Sequence, residues 1–169
     1  MELAERMTTA SREAFEERLA SHRALVFKVA HTYCRDPDDR ADLAQEIAAQ
    51  LWRAWPSYRA DHAFSTWMYR VALNTAISFV RGNARRHRHF VPLDEAVHDV
   101  ADGGHGDGED RRIATLQRFI ARQGAIDRAL LLLYLDGRSH REIGDVLGLS
   151  ETNVSTKIGR LKQRIRDAQ

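Results

Sequence analysis

The chain has 169 residues, of which 43% are hydrophobic and 30% charged, with ten glycines and three prolines. This composition is typical of a helix-rich globular protein and excludes fibrous and disordered classes. The formal net charge is only +2, so attraction to a charged partner must depend on how the charges are distributed. No apolar run approaches the roughly 20 residues that span a bilayer, and the N-terminal stretch has acids where a signal peptide has an apolar segment. We therefore expect a cytoplasmic protein without membrane insertion.

The first half of the chain shows helical periodicity. Apolar residues recur at spacings of three and four, which predicts helices over about 12–35, 38–55 and 63–86. No strand pattern appears, and breaks in the periodicity coincide with the three prolines, Pro37, Pro56 and Pro92.

An acidic segment separates this half from the next. Residues 89–110 are rich in acids and glycines, lack lysine and arginine, and offer almost nothing apolar after Val100. Helical periodicity resumes after it and continues to the C-terminus. We therefore predict an all-α protein with two small helical domains, 12–88 and 111–169, joined by a flexible acidic linker over 89–110.

The C-terminal domain carries the signals of a helix-turn-helix. Ser139 and Glu142 form an S-x-x-E capping box, Gly148 stands where a C-cap glycine belongs, and Ser150 is a good N-cap for the next helix. That helix has one inward apolar stripe, Val154, Ile158, Leu161 and Ile165.

The opposite face of the last helix suits DNA. Small hydroxyl and amide side chains near a helix N-terminus fit a major groove, and lysine or arginine adds contacts to phosphate. The alternative is a basic amphipathic helix that merely solvates its domain. The residues expected to contact DNA are Thr152, Asn153, Ser155, Thr156, Lys157, Arg160 and Arg164.

A polar ridge marks the second predicted helix. Asp39, Asp42 and Glu46 recur at three and four residues, Gln45 neighbours them, and the ridge runs beside apolar Leu43. Such a ridge could dock on a basic partner, although composition alone favours an ordinary solvated face.

Aromatic residues and arginines crowd the third predicted helix and the loop before it. Aromatic faces stack on exposed bases and arginines hold the backbone, a combination used for single strands and flipped bases. We expect Trp67 to lie chiefly in the core, which leaves Tyr58, His62, Arg70 and Asn74 as the better contact candidates.

Three segments, in this order along the chain, resemble motifs of one family. "DRADLAQEIAAQLWRAW" resembles a D-x-x-D-L-x-Q-E helix that binds RNA polymerase core, "AFSTWMYRVALNTA" resembles a promoter-melting segment, and "HREIGDVLGLSETNVSTKIGRLKQRI" resembles a minus-thirty-five recognition unit. The family is the extracytoplasmic-function sigma factors of the sigma-70 class, which are small bacterial transcription initiation factors. The resemblance implies a region 2-like bundle over 12–88 and a region 4-like helix-turn-helix over 111–169.

The resemblance also implies roles for particular residues. The polymerase clamp helices would contact Asp39, Asp42, Leu43, Gln45 and Glu46, and the polymerase flap is a further expected contact. The loop from Ser57 to Phe64 would hold a flipped base of the minus-ten element, and arginines would hold the strand. The implied minus-ten residues are Tyr58, Arg59, His62, Phe64, Arg70, Asn74, Arg81 and Arg85. The acidic linker would thread polymerase channels, and no catalytic residue, cofactor or metal is implied.

Two departures from the family pattern stand on the polymerase-facing helix. Ala41 replaces an acid that many relatives carry, and Ala48 replaces a common bulky aromatic, so this contact could be weaker or altered. Because no ligand-sensing extension follows Gln169, we expect control by a separate anti-sigma factor.

Two other classes of protein fit parts of the chain. A ligand- or dimer-controlled repressor could use the same helix-turn-helix, but it would bind its operator tightly without polymerase. A helical metal enzyme could use His31, Cys34, Asp38 and Asp42, but Pro37 separates the pairs and no second cluster completes a coordination sphere. The single cysteine also excludes an internal disulfide.

Overall fold

The computed structural model describes residues 8–89 and 108–168, which form helices and no strand, so the all-α prediction is confirmed. The predicted linker, 89–110, lies mostly outside the described residues, and its last three residues already belong to a helix. The helices are α1 (Thr9–Ser21), α2 (Arg23–Tyr33), α3 (Pro37–Ala54), α4 (Phe64–His89), α5 (Gly108–Arg122), α6 (Ala125–Leu135), α7 (His140–Leu147) and α8 (Glu151–Asp167), with a short 3-10 turn, Trp55–Ser57, after α3.

Helices α1–α4 form an N-terminal module around α3. The predicted apolar stripe of α3, Leu43, Ile47 and Leu51, is completely buried between α2 and α4. Each such side chain contributes about 1.5–3 kcal/mol when it leaves water. Asp36 caps α3 by accepting hydrogen bonds from the amides of Asp38 and Asp39, so the entrance of the helix is fixed by the residue before Pro37.

The single helix predicted over 12–35 is wrong, because the chain breaks at His22. His22 leaves helical geometry, with φ −118° and ψ 18°, and its ring lies 2.9 Å from the carbonyl oxygen of Arg18 and packs edge-on against Phe64. The break separates α1, which contributes buried Phe15, from α2, whose inner face is largely buried. Apolar spacing alone does not show the break, because His22 is a polar residue and one of its ring contacts is with Phe64, more than 40 residues away in the sequence.

Helices α5–α8 form a C-terminal module that contains the predicted helix-turn-helix. Both hydrogen bonds of the capping box are present: Glu142 N donates to Ser139 Oγ at 3.1 Å, and Ser139 N donates to Glu142 Oε2 at 2.9 Å. Gly148 adopts the left-handed conformation at φ +69°, and Ser150 caps α8. These three predictions are confirmed.

The two modules pack against each other. Helix α2 contacts α5 and α6, and α4 contacts α6 and α7. The N-terminal module thus presents α4, the helix with the predicted promoter-melting residues, to the first helix of the helix-turn-helix.

Candidate nucleic-acid interface

Helix α8 presents a continuous polar face. Val154, Ile158 and Leu161 are at most 1% exposed and fix the rotation of the helix against the module. Lys157 is half-buried at the edge of the opposite face, and the other predicted contact residues are exposed: Thr152, Asn153, Ser155, Thr156, Arg160 and Arg164. The N-terminus of α8 also favours phosphate, because the positive end of the helix dipole lies there. An exposed polar face on the second helix of a helix-turn-helix is the feature that such proteins use to read a major groove, and groove entry by α8 stays a prediction.

Local bonds restrain two members of this face. Thr156 Oγ1 donates to the carbonyl oxygen of Thr152 at 3.0 Å, which leaves its lone pairs outward as acceptors. Arg164 lies 3.2 Å from the carboxylate of Asp127 on α6. Arg160, one turn earlier, is therefore the better placed of the two arginines to reach phosphate or a base edge.

An aromatic cluster holds the loop before α4. The ring of Tyr58 stacks on Trp55 at 5.5 Å and meets Phe64 edge-on at 5.4 Å, while its hydroxyl donates to the carbonyl oxygen of His62 at 3.1 Å. Trp67 is half-buried in the same cluster. Tyr58 and Phe64 therefore shape the loop from within, while Arg59 and His62 are exposed on it. Base contact by any of these side chains stays a prediction.

Helix α4 carries an exposed polar row beside this loop. Arg70, Asn74 and Arg81 are spaced by four and seven residues, so they share one face, and all three are exposed. Ser78 stands between them on the same face and is also exposed, although the sequence interpretation did not include it. Arg85 belongs to α4, but its side chain lies outside the described residues.

The polar ridge of α3 is only partly as predicted. Asp42, Gln45 and Glu46 are exposed and Asp39 is half-buried. Leu43 is 0% exposed, so the prediction that it contacts polymerase is corrected: it is a core residue of the N-terminal module. The ridge that a partner can touch is therefore polar and acidic.

The sequence patterns did not single out two residues that hold parts of this candidate interface in place. Arg18 on α1 lies over the rings of Tyr58 and Phe64, 5.4 and 5.5 Å from their centroids, and its guanidinium donates to the hydroxyl of Tyr58 at 3.2 Å. No local signal marks it, because its partners are some 40 residues away. Gly144 in α7 lies so close to the turn that an added Cβ would come within 2.5 Å of the carbonyl oxygen of Leu149. A glycine in the middle of "REIGDVL" was the signal that could have found it.

Asp136, at the end of α6, was also missed. It accepts hydrogen bonds from Lys28 and Tyr69, and Arg138 lies nearby. Partial burial by itself would raise the pKa of this carboxyl, but the hydrogen bonds from Lys28 and Tyr69 and the neighbouring positive charges outweigh it and lower the pKa. Burial first, and then the bond to Asp136, raise the pKa of Tyr69, so its hydroxyl remains a donor at neutral pH.

The metal-enzyme alternative finds no support in the part of the chain that the structure describes. Within it, no group of three or more histidine, cysteine, aspartate or glutamate side chains could hold a metal ion. Cys34 is buried at the end of α2. None of the described helices is both long and apolar enough to cross a membrane.

A helix-turn-helix with a polar recognition face, joined to a helical module with an aromatic loop and a polar row, defines a two-module DNA-binding protein. Comparison with protein families refines this class. The model for sigma-70 region 2 matches residues 19–86, and the model for sigma-70 region 4 matches residues 125–165. The chain belongs to the sigma-70 family, in its extracytoplasmic-function group. It is thus a transcription initiation factor that binds RNA polymerase and recognises promoters.

Individual relatives match over nearly the whole chain. The RNA polymerase sigma-H factor of Pseudomonas aeruginosa is 26% identical over 97% of this chain and 90% of its own length. The ECF RNA polymerase sigma-E factor of Escherichia coli is 27% identical over 96% of this chain and 90% of its own length. Among solved structures, the sigma factor RpoE in complex with the anti-sigma factor NepR from Bartonella quintana has the same fold, with a TM-score of 0.70 at 17% identity over 92% of this chain and 96% of that one.

Proposed function

We propose that this chain reads a promoter with its two modules separately: α8 reads the minus-thirty-five element, and the loop over residues 57–64 with the polar row of α4 captures the minus-ten element. The observation that carries the proposal is the presence, in one chain, of a capped recognition helix with an outward polar face and a second, independent polar face on α4. The proposed domains are 12–88 and 111–169, joined by the acidic linker over 89–110.

Recognition of the upstream element rests on α8. Its outward side chains combine short hydrogen-bonding groups, which reach base edges, with Lys157 and Arg160, which reach phosphates. The buried stripe behind them fixes the orientation of this face, so the side chains are positioned before DNA arrives.

Strand opening rests on the loop and α4. Unstacking a base costs a few kcal/mol, which a pocket must offset by binding the extruded base. The aromatic cluster and the bond from Tyr58 to His62 hold the loop in one conformation, which reduces the entropy lost on binding. Arg70, Asn74 and Arg81 would then hold the strand along α4. The proposed minus-ten contacts also include Arg59, Phe64 and Arg85.

Polymerase binding rests on the α3 ridge, formed by exposed Asp42, Gln45 and Glu46 with half-buried Asp39 at its start. These acidic and amide groups suit a basic surface such as the one we expect on the polymerase clamp helices, and the C-terminal module would engage the flap. The factor would act in the cytoplasm, where polymerase and promoters are, and would contribute recognition without catalysis. A separate anti-sigma factor would control it, as the NepR complex of the Bartonella protein illustrates for a relative.

One experiment separates this function from that of a repressor. The purified chain is mixed with bacterial core polymerase and fragmented genomic DNA, and transcript starts are mapped. We expect discrete starts downstream of two elements at a fixed spacing, absent without the chain. Absence of such transcripts, together with tight and specific DNA binding by the chain alone, would favour the repressor.

A further inference from the structure

One side of α1 packs against the aromatic rings that hold the loop over residues 57–64. The residues of α1 and of its C-cap that make these contacts are Ser11, Phe15, Arg18 and His22. Their spacing of four, three and four residues places them on a single face of the helix. Ser11 Oγ accepts a hydrogen bond from Trp55 Nε1 at 3.0 Å, and the ring of Phe15 lies 5.4 Å from that of Trp55. Of the residues of α1, Phe15 alone is buried, so apolar spacing does not mark this face.

Arg18 makes three contacts with this loop. Its guanidinium lies 5.4 Å from the ring centroid of Tyr58 and 5.5 Å from that of Phe64, and it donates to the hydroxyl of Tyr58 at 3.2 Å. The same hydroxyl donates to the carbonyl oxygen of His62 at 3.1 Å. The hydroxyl of Tyr58 therefore links α1 to the far side of the loop.

The tip of the loop is a tight turn at the end of this link. The amide of His62 donates to the carbonyl oxygen of Arg59 at 3.2 Å, which closes a turn over residues 59–62. Arg59 and His62 are exposed on it and belong to the set proposed to contact the minus-ten element. The bond from Tyr58 holds the end of the turn, and Arg18 holds Tyr58. Arg18 can therefore act on the tip of the loop without lying on it.

We propose that Arg18 is a positioning residue for the minus-ten element: it fixes Tyr58, and through Tyr58 the turn over residues 59–62, in the conformation that accepts an unpaired base. The inference rests on the proposed function and deepens it, because it assigns the shape of the base-binding loop to a residue outside both the loop and α4. Arg18 also precedes the match to sigma-70 region 2, which begins at residue 19. A loop held in one conformation loses less entropy on binding and fits one sequence better than others.

A direct contact between Arg18 and a DNA phosphate would have a different consequence. Phosphate contacts carry no sequence information, so the loss of one weakens binding to every sequence alike. A change in the shape of the loop instead alters the ratio between the affinities for the right and the wrong sequence. The geometry favours positioning, because the guanidinium is already engaged by the hydroxyl of Tyr58 and by two aromatic rings.

The test measures binding of fluorescent single-stranded DNA to the complex of the full chain with core polymerase. One strand carries the minus-ten sequence found upstream of the mapped transcript starts, the other carries the same bases in scrambled order, and the readout is the ratio of the two affinities. Loss of one hydrogen bond and two ring contacts corresponds to about a 5- to 30-fold change, so we expect Arg18→Met to lower this ratio about 5-fold or more. Arg18→Lys keeps a cation and a donor and should retain more of the ratio. A partly unfolded preparation lowers both affinities alike, so a loss of folding does not move the ratio.

The matched control is Arg12→Met. Arg12 is an exposed arginine of the same helix, paired with Glu16 instead of the loop, so its substitution should leave the ratio of wild type. A double-mutant cycle with Tyr58→Phe, which removes the hydroxyl and keeps the ring, tests the link itself. Arg18→Met should cost less in that background than in wild type, because part of its contact has already been removed.

The outcomes separate this inference from the function on which it rests. A wild-type complex that prefers the minus-ten strand, together with an unchanged ratio in Arg18→Met, would overturn the positioning role and leave the proposed function standing, whether or not both strands bind more weakly. Strictly additive losses in the cycle with Tyr58→Phe would overturn it as well. Equal binding of the two strands by the wild-type complex would overturn the proposed capture of the minus-ten element and the inference together.

Discussion

At the residue scale, Gly144 shows how closely the helix-turn-helix is packed. The carbonyl oxygen of Gly144 accepts a hydrogen bond from the amide of Leu149 at 3.0 Å. The carbonyl oxygen of Leu149 lies 2.5 Å from the position that a Cβ on residue 144 would occupy. Only a residue without a side chain allows α7 to approach the turn so closely.

Gly144→Ala should therefore destabilise the C-terminal module, by about 1–3 kcal/mol, because the new methyl meets backbone that cannot move aside cheaply. Gly159→Ala on α8 is the matched control, since an added Cβ there meets nothing within 4 Å, and it should stabilise by about 0.5–1 kcal/mol. Urea denaturation measures both. An unchanged free energy of unfolding in Gly144→Ala would mean that the turn shifts without cost to admit the new methyl group.

Cys34 is expected to be unreactive in the native protein. Burial raises the pKa of its thiol, the Asp39 carboxylate adds to this, and the positive charges of Arg40 and Arg128 offset only part. Since the thiolate is the nucleophile, a raised pKa leaves less of it at pH 8. We expect reaction with a thiol-specific disulfide reagent to be at least about tenfold slower than in urea-unfolded protein. Equal rates in the two states would show that the site is open.

At the scale of helices, the rotation of α4 and of α8 about its own axis decides which side chains each helix exposes. On α8 the buried stripe turns the residues proposed to contact DNA outward, and on α4 the buried residues between Met68 and Ile77 do the same for the polar row. Because the two faces lie on different modules, they can be impaired separately.

Arg160→Ala should weaken use of the upstream element, with an affinity loss of about tenfold for polymerase carrying the factor. Asn74→Ala should impair promoter opening while closed-complex binding persists. Filter binding measures the first step and permanganate reactivity of unpaired thymines measures the second. Arg112→Ala, an exposed arginine on α5 outside both family matches, is the control for lost charge. Equal loss of both steps in both variants would contradict this division of labour.

At the scale of the whole molecule, the contact between the modules decides which surfaces are available. The Asp136 network joins α2, α4 and the end of α6, so separating the modules costs an ion pair and at least two hydrogen bonds. Because Asp136 is ionisable, the stability of this contact depends on pH.

Because the pKa of Asp136 is lowered from its ordinary 3.8, this carboxylate stabilises the contact between the modules above that value and loses its effect as the pH falls through the lowered pKa. Its partners Lys28, Tyr69 and Arg138 include no histidine. We therefore expect the radius of gyration to stay constant between pH 5 and pH 8. A change in size within that range would assign the contact to another titrating group.

The sequence by itself determined the helical class, the helix-turn-helix and its caps, because capping and periodicity depend on residues within one or two turns of each other. Ser139, Glu142, Gly148 and Ser150 could be interpreted without knowing the fold. Apolar spacing did not reveal the break within 12–35, where His22 combines a local contact with the carbonyl oxygen of Arg18 and a distant ring contact with Phe64.

Only the tertiary structure decided which side chains remain exposed and free to contact a partner. Leu43 has an apolar side chain in a polar motif, and burial assigns it to the core. Arg18 joins the loop, and Asp136 and Arg70 join the modules, through contacts between residues 40 to 108 positions apart in the chain. No local pattern encodes such contacts, because the free energy of each depends on where distant helices are placed.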